Sequence, residues 1–548
     1  MITYRTMQNN MKKSINIWSL ALLSLALGLT SCNDFLEEDP KDQKSADQFW
    51  KTAEDAQTGV DALYFGGVPY LNNSGGGWQP KSTMFGGIVS GLFYDDHGDS
   101  QIAEASKSSN YTLERFSSTI YNNLWHEFYK GISRANFVLA NVPGMTSVLD
   151  QTTIDRYVAE GKFFRAYAYF YLVKEFGDVP YIDKPYKSPT DMYVERMPSD
   201  QVYQKIIDDL TDIASNNALP NKSFYENGCR VTRAMAQTLL AEVYLQKAGY
   251  PLQGGKADYE KAAKYAEMVI NGGSAALEQP NGSSDDLHSA YNVIKNSKST
   301  KEIIFAKEYD YSNNDIGNGY VNLCMGSDAT TWKDADGKQV FSMNVLHKAY
   351  QPCDMILKSY APEDIRGHEK QFFFRTYTDK TGVTHTLNDP GQWSWFEENA
   401  IIGNHGGDNN IPTMRYAEVL LIAAEANARI GNTEKALGYL NQVRRRAGLP
   451  NETATGDALI QSILTERLHE FPLEFKVWDD IRRTRLYPEA DGDYSGKLKW
   501  VPLSSAMIQN KPVGVVKQGA IPEWVLLWPI PQDEIQRNPS LTQNPGWE

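Results

Sequence analysis

Met414 to Pro450 reads MRYAEVLLIAAEANARIGNTEKALGYLNQVRRRAGLP, and this pattern admits one local structure, two helices joined by a tight turn. Val419, Leu420, Ala423, Ala424 and Ala428 recur at helical spacing. Small alanines sit where a second helix must come close. Gly431-Asn432 supplies the left-handed residue that ends the first helix, and Thr433 is expected to cap the second, with Glu434 in its first turn. The second helix buries Ala436, Leu437, Leu440 and Val443 and stops at Gly448, with Pro450 just beyond.

The pair resembles a tetratricopeptide unit of about 34 residues, usually a scaffold for binding. The same periodicity predicts helices over Ser45 to Tyr64, Tyr121 to Val142, Ile154 to Phe176, Gln201 to Ala214, Thr232 to Lys247 and Tyr259 to Ile270. Two stretches break it. Gly66 to Ser109 is rich in Gly, Ser and Asn, and from Gln279 to Asn410 the helical pattern lapses. Within the second, Glu302 to Ala306 reads as a strand, and Phe372 to Tyr377 and Val383 to Leu387 flank the hairpin turn Asp379-Lys380-Thr381-Gly382. The expected fold is all-α, a tetratricopeptide-like helix-pair superhelix with a mixed loop and short-strand capping insertion. Loops this long inside a compact protein are usually functional.

No low-complexity linker cuts the 548 residues, which favours one large domain with inserted loops. A net charge of −14 argues against nucleic acid, whose binding needs clustered Lys and Arg. Lys12-Lys13 precede an apolar run from Ile15 to Leu29, too short to span a bilayer, followed by Leu29-Thr30-Ser31-Cys32. This is a lipobox: residues 1–31 read as a lipoprotein signal peptide, with Met11 a normal start, Cys32 as the lipidated residue and 32–45 as an acidic tether. The domain then runs over 46–548. Cys229, Cys324 and Cys353 remain, with no zinc spacing; buried free thiols are expected, with one disulfide among them as the alternative.

Glu466, Glu470 and Glu474 fall four apart on one helix face, and Glu418 and Glu425 seven apart. Glycoside hydrolysis needs paired carboxylates, but from separate elements facing a cleft. These alternate with Arg415, Arg467, Arg482 and Arg483, so an ion-pair network that locks helices is the expectation. Lys333 to Gly337 fails the calcium-loop pattern and reads as a hairpin turn. The eight histidines form no metalloenzyme motif, and the glycine clusters match no nucleotide-binding loop; no cofactor and no catalytic set is expected. Among 12 Trp and 31 Tyr, most lie in helices; Trp78, Trp332, Trp393 and Trp395 instead sit in polar loops, where an indole is expected to stand exposed. A flat aromatic face beside carboxylates and amides is how proteins hold sugar rings.

Four blocks in order carry a more specific resemblance. They are Ala159-Glu160 through Phe176-Gly177-Asp178-Val179-Pro180; Ile411 to Glu418 running through Ala424-Glu425-Ala426 to Arg445-Arg446-Ala447-Gly448-Leu449-Pro450; Glu466-Arg467 to Asp480-Ile481-Arg482-Arg483; and Trp528-Pro529-Ile530-Pro531 to Gln543-Asn544-Pro545-Gly546-Trp547. Together they resemble the RagB/SusD family of outer-membrane nutrient-binding lipoproteins. Phe475 and Val477 depart from that family's usual Gly and Arg, and Pro472 predicts a helix break. The resemblance implies a non-catalytic lipoprotein on the outer membrane, exposed to the exterior, that captures glycan and passes it to a SusC-like, TonB-dependent β-barrel. Peptide or another nutrient is the alternative cargo, and a surface glycoside hydrolase the alternative class. It also implies that sugar is held by aromatics of the two inserted regions. Here these supply Trp78, Tyr94, Asp95 and Asp96, then Tyr320 and Trp332, with Trp393 and Trp395 in reserve.

Overall fold

The computed structural model describes residues 49–64, 86–94, 118–280, 287–314, 316–343, 346, 350–490, 497–506 and 521–548. The chain divides into two compact units, Met1–Asp55 and Ala56–Glu548. In the first, the Asp55 carboxylate accepts the backbone N–H groups of Lys51 and Thr52 at 3.0 and 2.9 Å, closing the turn that opens α1 (Ala53–Tyr64). The expected start of this helix at Ser45, the signal segment and Cys32 lie outside the described residues.

In the second unit, α2 (Ser118–Asn141), α3 (Gln151–Phe176), α4 (Ser199–Ser215), α5 (Arg233–Ala248) and α6 (Gly255–Gly272) each pack on the next. A short helix, α7 (Ala290–Asn296), precedes a long excursion. The chain then returns as α8 (Tyr416–Arg429), which packs on α6, α9 (Thr433–Arg446) and α10 (Gly456–Glu470). This is the tetratricopeptide-like stacking of helix pairs read from the periodicity.

The sequence explains the stack locally. Asp150 caps α3 by accepting the Thr153 N–H at 2.8 Å. Phe163, Phe164, Tyr167 and Phe170 of α3 are all fully buried, as expected of a helix apolar on every face. Arg165 grips Asp209 with two hydrogen bonds of 2.8 Å, tying α3 to α4. Between α8 and α9, Gly431 takes φ +90°, the conformation the turn requires. One detail differs: Asn432 occupies the cap position and Thr433 is the first helical residue, with no side-chain cap bond. The adjacent Asn432 side chain is instead drawn to Asn427, 3.1 Å away.

Pro472 breaks the helix as expected, since α10 ends at Glu470 and α11 spans Val477–Thr484. Phe475 in this break takes φ +63°, which a glycine adopts without strain. A phenylalanine is kept there by packing: its ring lies 5.0 Å from Tyr350 and 6.2 Å from Trp395. A last short helix, α12, spans Gln532–Arg537.

Strands among the described residues occur only as antiparallel pairs. These are β1 (Phe93–Tyr94), β2 (Val179–Pro180), β3 (Arg196–Met197), β4 (Ile303–Lys307), β5 (Gln351–Pro352), β6 (Phe373–Thr378), β7 (Thr384–Gln392), β8 (Ile411–Arg415), β9 (Leu486–Ala490) and β10 (Leu498–Pro502). Pairing β4 with β8 closes the base of the second insertion, with Ile303 opposite Arg415 and Lys307 opposite Ile411.

Below that base lies a buried ionic core. Arg415 reaches Glu302 at 2.6 Å, Glu470 at 2.9 Å and Glu474 at 2.7 Å. Arg446 contacts Glu302 and Glu470, Arg366 contacts Asp364, Glu466 and Glu470, and Arg483 contacts Glu425 at 2.6 Å. Burial pushes the Glu470 carboxyl up, but Arg446, Arg415 and Arg366 outweigh it and hold it at about 2.

Candidate functional site in the capping insertion

Above the β4–β8 clamp, the two ends of the insertion are drawn together by a second contact. The backbones of Gly317 and Gly406 touch so closely that a Cβ on Gly317 would lie 2.6 Å from the Gly406 Cα. Beside them Asn318 and Gly407 exchange N–H···O bonds of 2.8 and 3.0 Å, and the Glu397 carboxylate accepts the Asp408 N–H at 2.7 Å. A long loop anchored at two levels holds its outer surface still, which a binding site needs.

The lobe has its own aromatic core, and this corrects part of the sequence reading. Trp393 and Trp395, expected to stand exposed, are only 8% and 3% exposed. The Trp393 indole N–H donates to Asn292 at 2.7 Å, its ring stacks on Phe396 at 5.0 Å, and the Lys295 ammonium lies 4.8 Å from its centre. Trp395 packs edge-on against Tyr320, itself 2% exposed, at 5.0 Å. Polar loop composition hid this, because hairpin β6–β7 and the turn at Trp393–Trp395 fold over their own apolar layer. So packed, Tyr320, Trp393 and Trp395 leave no ring face open to a sugar.

Trp332 differs. It is half-buried, at the edge of the lobe. Its ring lies parallel to His385, with centres 4.8 Å apart and planes 13° apart, and nearly parallel to Tyr377 at 6.2 Å. His385 is held in turn by Asp379 at 2.8 Å. The same carboxylate accepts from the Thr381 hydroxyl at 2.7 Å and the Val383 N–H at 3.1 Å, closing the predicted hairpin turn. His385, then Thr381, hold the Asp379 carboxyl well below the usual carboxylate range. Trp332 is thus a preset aromatic plate backed by an imidazole on a fixed turn. The sequence placed Asp379 in the turn but gave His385 no role; a histidine six residues after a turn-closing aspartate was the available signal.

The two sequence-singled insertions meet. Tyr94 of β1 pairs with Gln351 of β5, the Cys353 N–H donates to the Leu92 carbonyl at 2.8 Å, and the Phe93 ring stacks on Tyr350 at 4.0 Å. Trp78, Asp95 and Asp96 lie outside the described residues. Lys333 to Gly337 forms a turn in which the Asp334 carboxylate accepts the N–H groups of Asp336 and Lys338.

A cavity of about 60 Å³ under the lobe is lined by Lys295, Trp395, Arg415 and Glu474. It holds a few waters at most, too little for a sugar ring. The glutamates weighed as a catalytic pair are committed to arginines: Glu466 to Arg366 and Arg444, Glu470 to three guanidinium groups, and Glu474 to Arg415. Glu466 and Glu470 are buried this way, and Glu474 borders the small cavity, too tight for a glycosidic bond. Cys229, Cys324 and Cys353 are free thiols.

Stacked helix pairs carrying a clamped, aromatic-cored lobe define a scaffold for binding. Two family models match the chain: that of the SusD family over residues 375–547, and a second, described as starch-binding and associating with the outer membrane, over 34–245. It is 28% identical to SusD-like protein P2 of Formosa agariphila, over 97% of this chain and 99% of that protein. It is 26% identical to the starch-binding protein SusD of Bacteroides thetaiotaomicron, over 76% of this chain and 77% of that one. A crystal structure of a SusD superfamily protein from Parabacteroides distasonis superposes with a TM-score of 0.76 at 26% identity, covering 90% of this chain and 99% of that one.

Proposed function

We propose that this protein is a cell-surface lipoprotein, acylated at Cys32, that binds glycan on its capping insertion without cleaving it and delivers it to a TonB-dependent β-barrel. Kinship with a starch-binding protein along most of the chain carries this reading. Trp332 supplies the described aromatic plate, and Trp78, Tyr94, Asp95 and Asp96 of the first insertion are proposed as its further contacts.

A glycan panel presented to the soluble form beginning at Asn33 tests the binding. Capture of at least one polysaccharide without release of reducing sugar is expected; hydrolysis, or capture of peptides alone, defeats the reading. Replacing Cys32 by alanine should abolish lipid labelling and free the protein from membranes. Retention of both by the variant would defeat the anchor.

A further inference from the structure

A groove of about 320 Å³ opens between the start of α2, the segment after β2 and helix α12. Its floor is apolar: Trp125 is 3% exposed, and its ring centre lies 4.9 Å from that of Tyr129. Tyr129 is fixed by donating its hydroxyl to the Pro180 carbonyl at 2.8 Å. The rim is unusual for a soluble surface. Tyr186, Met192 and Tyr193 are 43%, 51% and 52% exposed, and these three large side chains converge on one depression.

The opposite wall is polar. The His126 imidazole sits 3.0 Å from Glu534, and Arg537 lies 2.7 Å from the same carboxylate and 3.2 Å from Asp533. His126, Asp533 and Glu534 have the spacing of a cation site. The Arg537 guanidinium already pairs with both carboxylates, and a divalent ion there would have to displace it. What remains is an open concavity of drug-like volume with exposed phenol rings on one side and a carboxylate, imidazole and guanidinium on the other. That combination suits a molecule with apolar C–H faces and hydroxyl edges.

We propose that this groove is a second carbohydrate subsite, taking one or two neutral pyranose units of the same polysaccharide that the insertion binds. It rests on the glycan-binding reading. Two modest sites on one polymer raise overall affinity by avidity, with no new contact at either.

The test is calorimetric titration of the full soluble chain with neutral hexasaccharides (α-glucan, β-glucan, mannan and xylan), on wild type, Trp332→Ala and Tyr186→Ala/Tyr193→Ala. The exposed tyrosines should leave the Tm unchanged. Two sites are expected in wild type and one in each variant, with at least tenfold weaker retention of the double variant on the matching polysaccharide gel. One wild-type site that survives the double tyrosine substitution overturns the groove and leaves the glycan-binding reading intact. A lone site lost with the tyrosines and kept without Trp332 upholds the groove and moves the binding surface there. Binding of no hexasaccharide overturns both.

Discussion

The helical frame and the capping insertion bury opposite chemistry. In the frame, Arg415 of β8, Arg446 of α9 and Arg483 of α11, joined by Arg366 from the foot of the insertion, are each less than a twentieth exposed and each matched to carboxylates. In the insertion, the interior is aromatic: Tyr320, Tyr350, Trp393, Trp395 and Phe396. A buried ion network tolerates no missing member, because each loss strands a charge. An aromatic layer with one half-open plate at its edge can lose that plate while its stability hardly changes. Stability and the proposed ligand contact are therefore housed apart.

The contrast can be broken most sharply at Arg415. Arg415→Ala leaves Glu474 without its arginine and takes one partner each from Glu302 and Glu470; it should cost about 3–5 kcal/mol, read from the urea unfolding midpoint, and a loss below about 1 kcal/mol ends the distinction.

Acid should find the same weakness. Burial, then Arg366, holds the His469 ring neutral down to about 3, against an ordinary 6.5. Below 6.5 the unfolded chain therefore takes up a proton that the folded chain refuses, and stability falls as pH drops. Relative to His469→Asn, the wild type should lose roughly 2–3 kcal/mol between pH 7 and 4.5. Parallel profiles for the two proteins would remove His469 from the account. Glu425 and Glu470, both held at about 2 against 4.5 by arginine partners that outweigh burial, extend the fall below pH 4.5. Glu466 and Glu474, raised by burial over their arginines, oppose it.

In the insertion, Trp332→Ala should weaken glycan binding by about 1–3 kcal/mol, roughly 5- to 150-fold, with little change in Tm. Unfolding without a binding defect would make Trp332 a core residue like its neighbours. The smallest effect belongs to an exposed pair on the frame. Lys435, 56% exposed beside Glu267, should contribute less than about 0.5 kcal/mol when replaced by alanine. A larger cost would mean that charge itself, and not burial, sets the frame's stability.

Much of the frame was legible because helices announce themselves by period. The runs that became α2 to α6, α8 and α9 were placed to within a few residues, and the glutamates were read as arginine partners from their spacing. Arg366 was invisible: Asp364-Ile365-Arg366 has no local pattern, and its contact to Glu470 joins distant parts of the chain. The lobe was legible in outline only. Glu302 to Ala306 and the Asp379 turn named a strand and a hairpin, but composition could not say which tryptophans would be covered. Trp393 and Trp332 occupy similar polar stretches, and only the fold of the hairpin buries one and leaves the other at an edge.

The paired strands at the base of the lobe make the insertion a cassette. Ile303–Lys307 and Ile411–Arg415 fix where the chain leaves the frame and where it re-enters, whatever lies between. Doubling the length of such a closed loop costs only about 0.6 kcal/mol in chain entropy, far less than one arginine of the core beneath. Lobes of different length and sequence can therefore be exchanged between Lys307 and Ile411 while the helices stay folded, provided that Arg366, which reaches Glu466 and Glu470 of the core, and its partner Asp364 are kept, so that new ligand preferences arise by substitution of a module on an unchanged support.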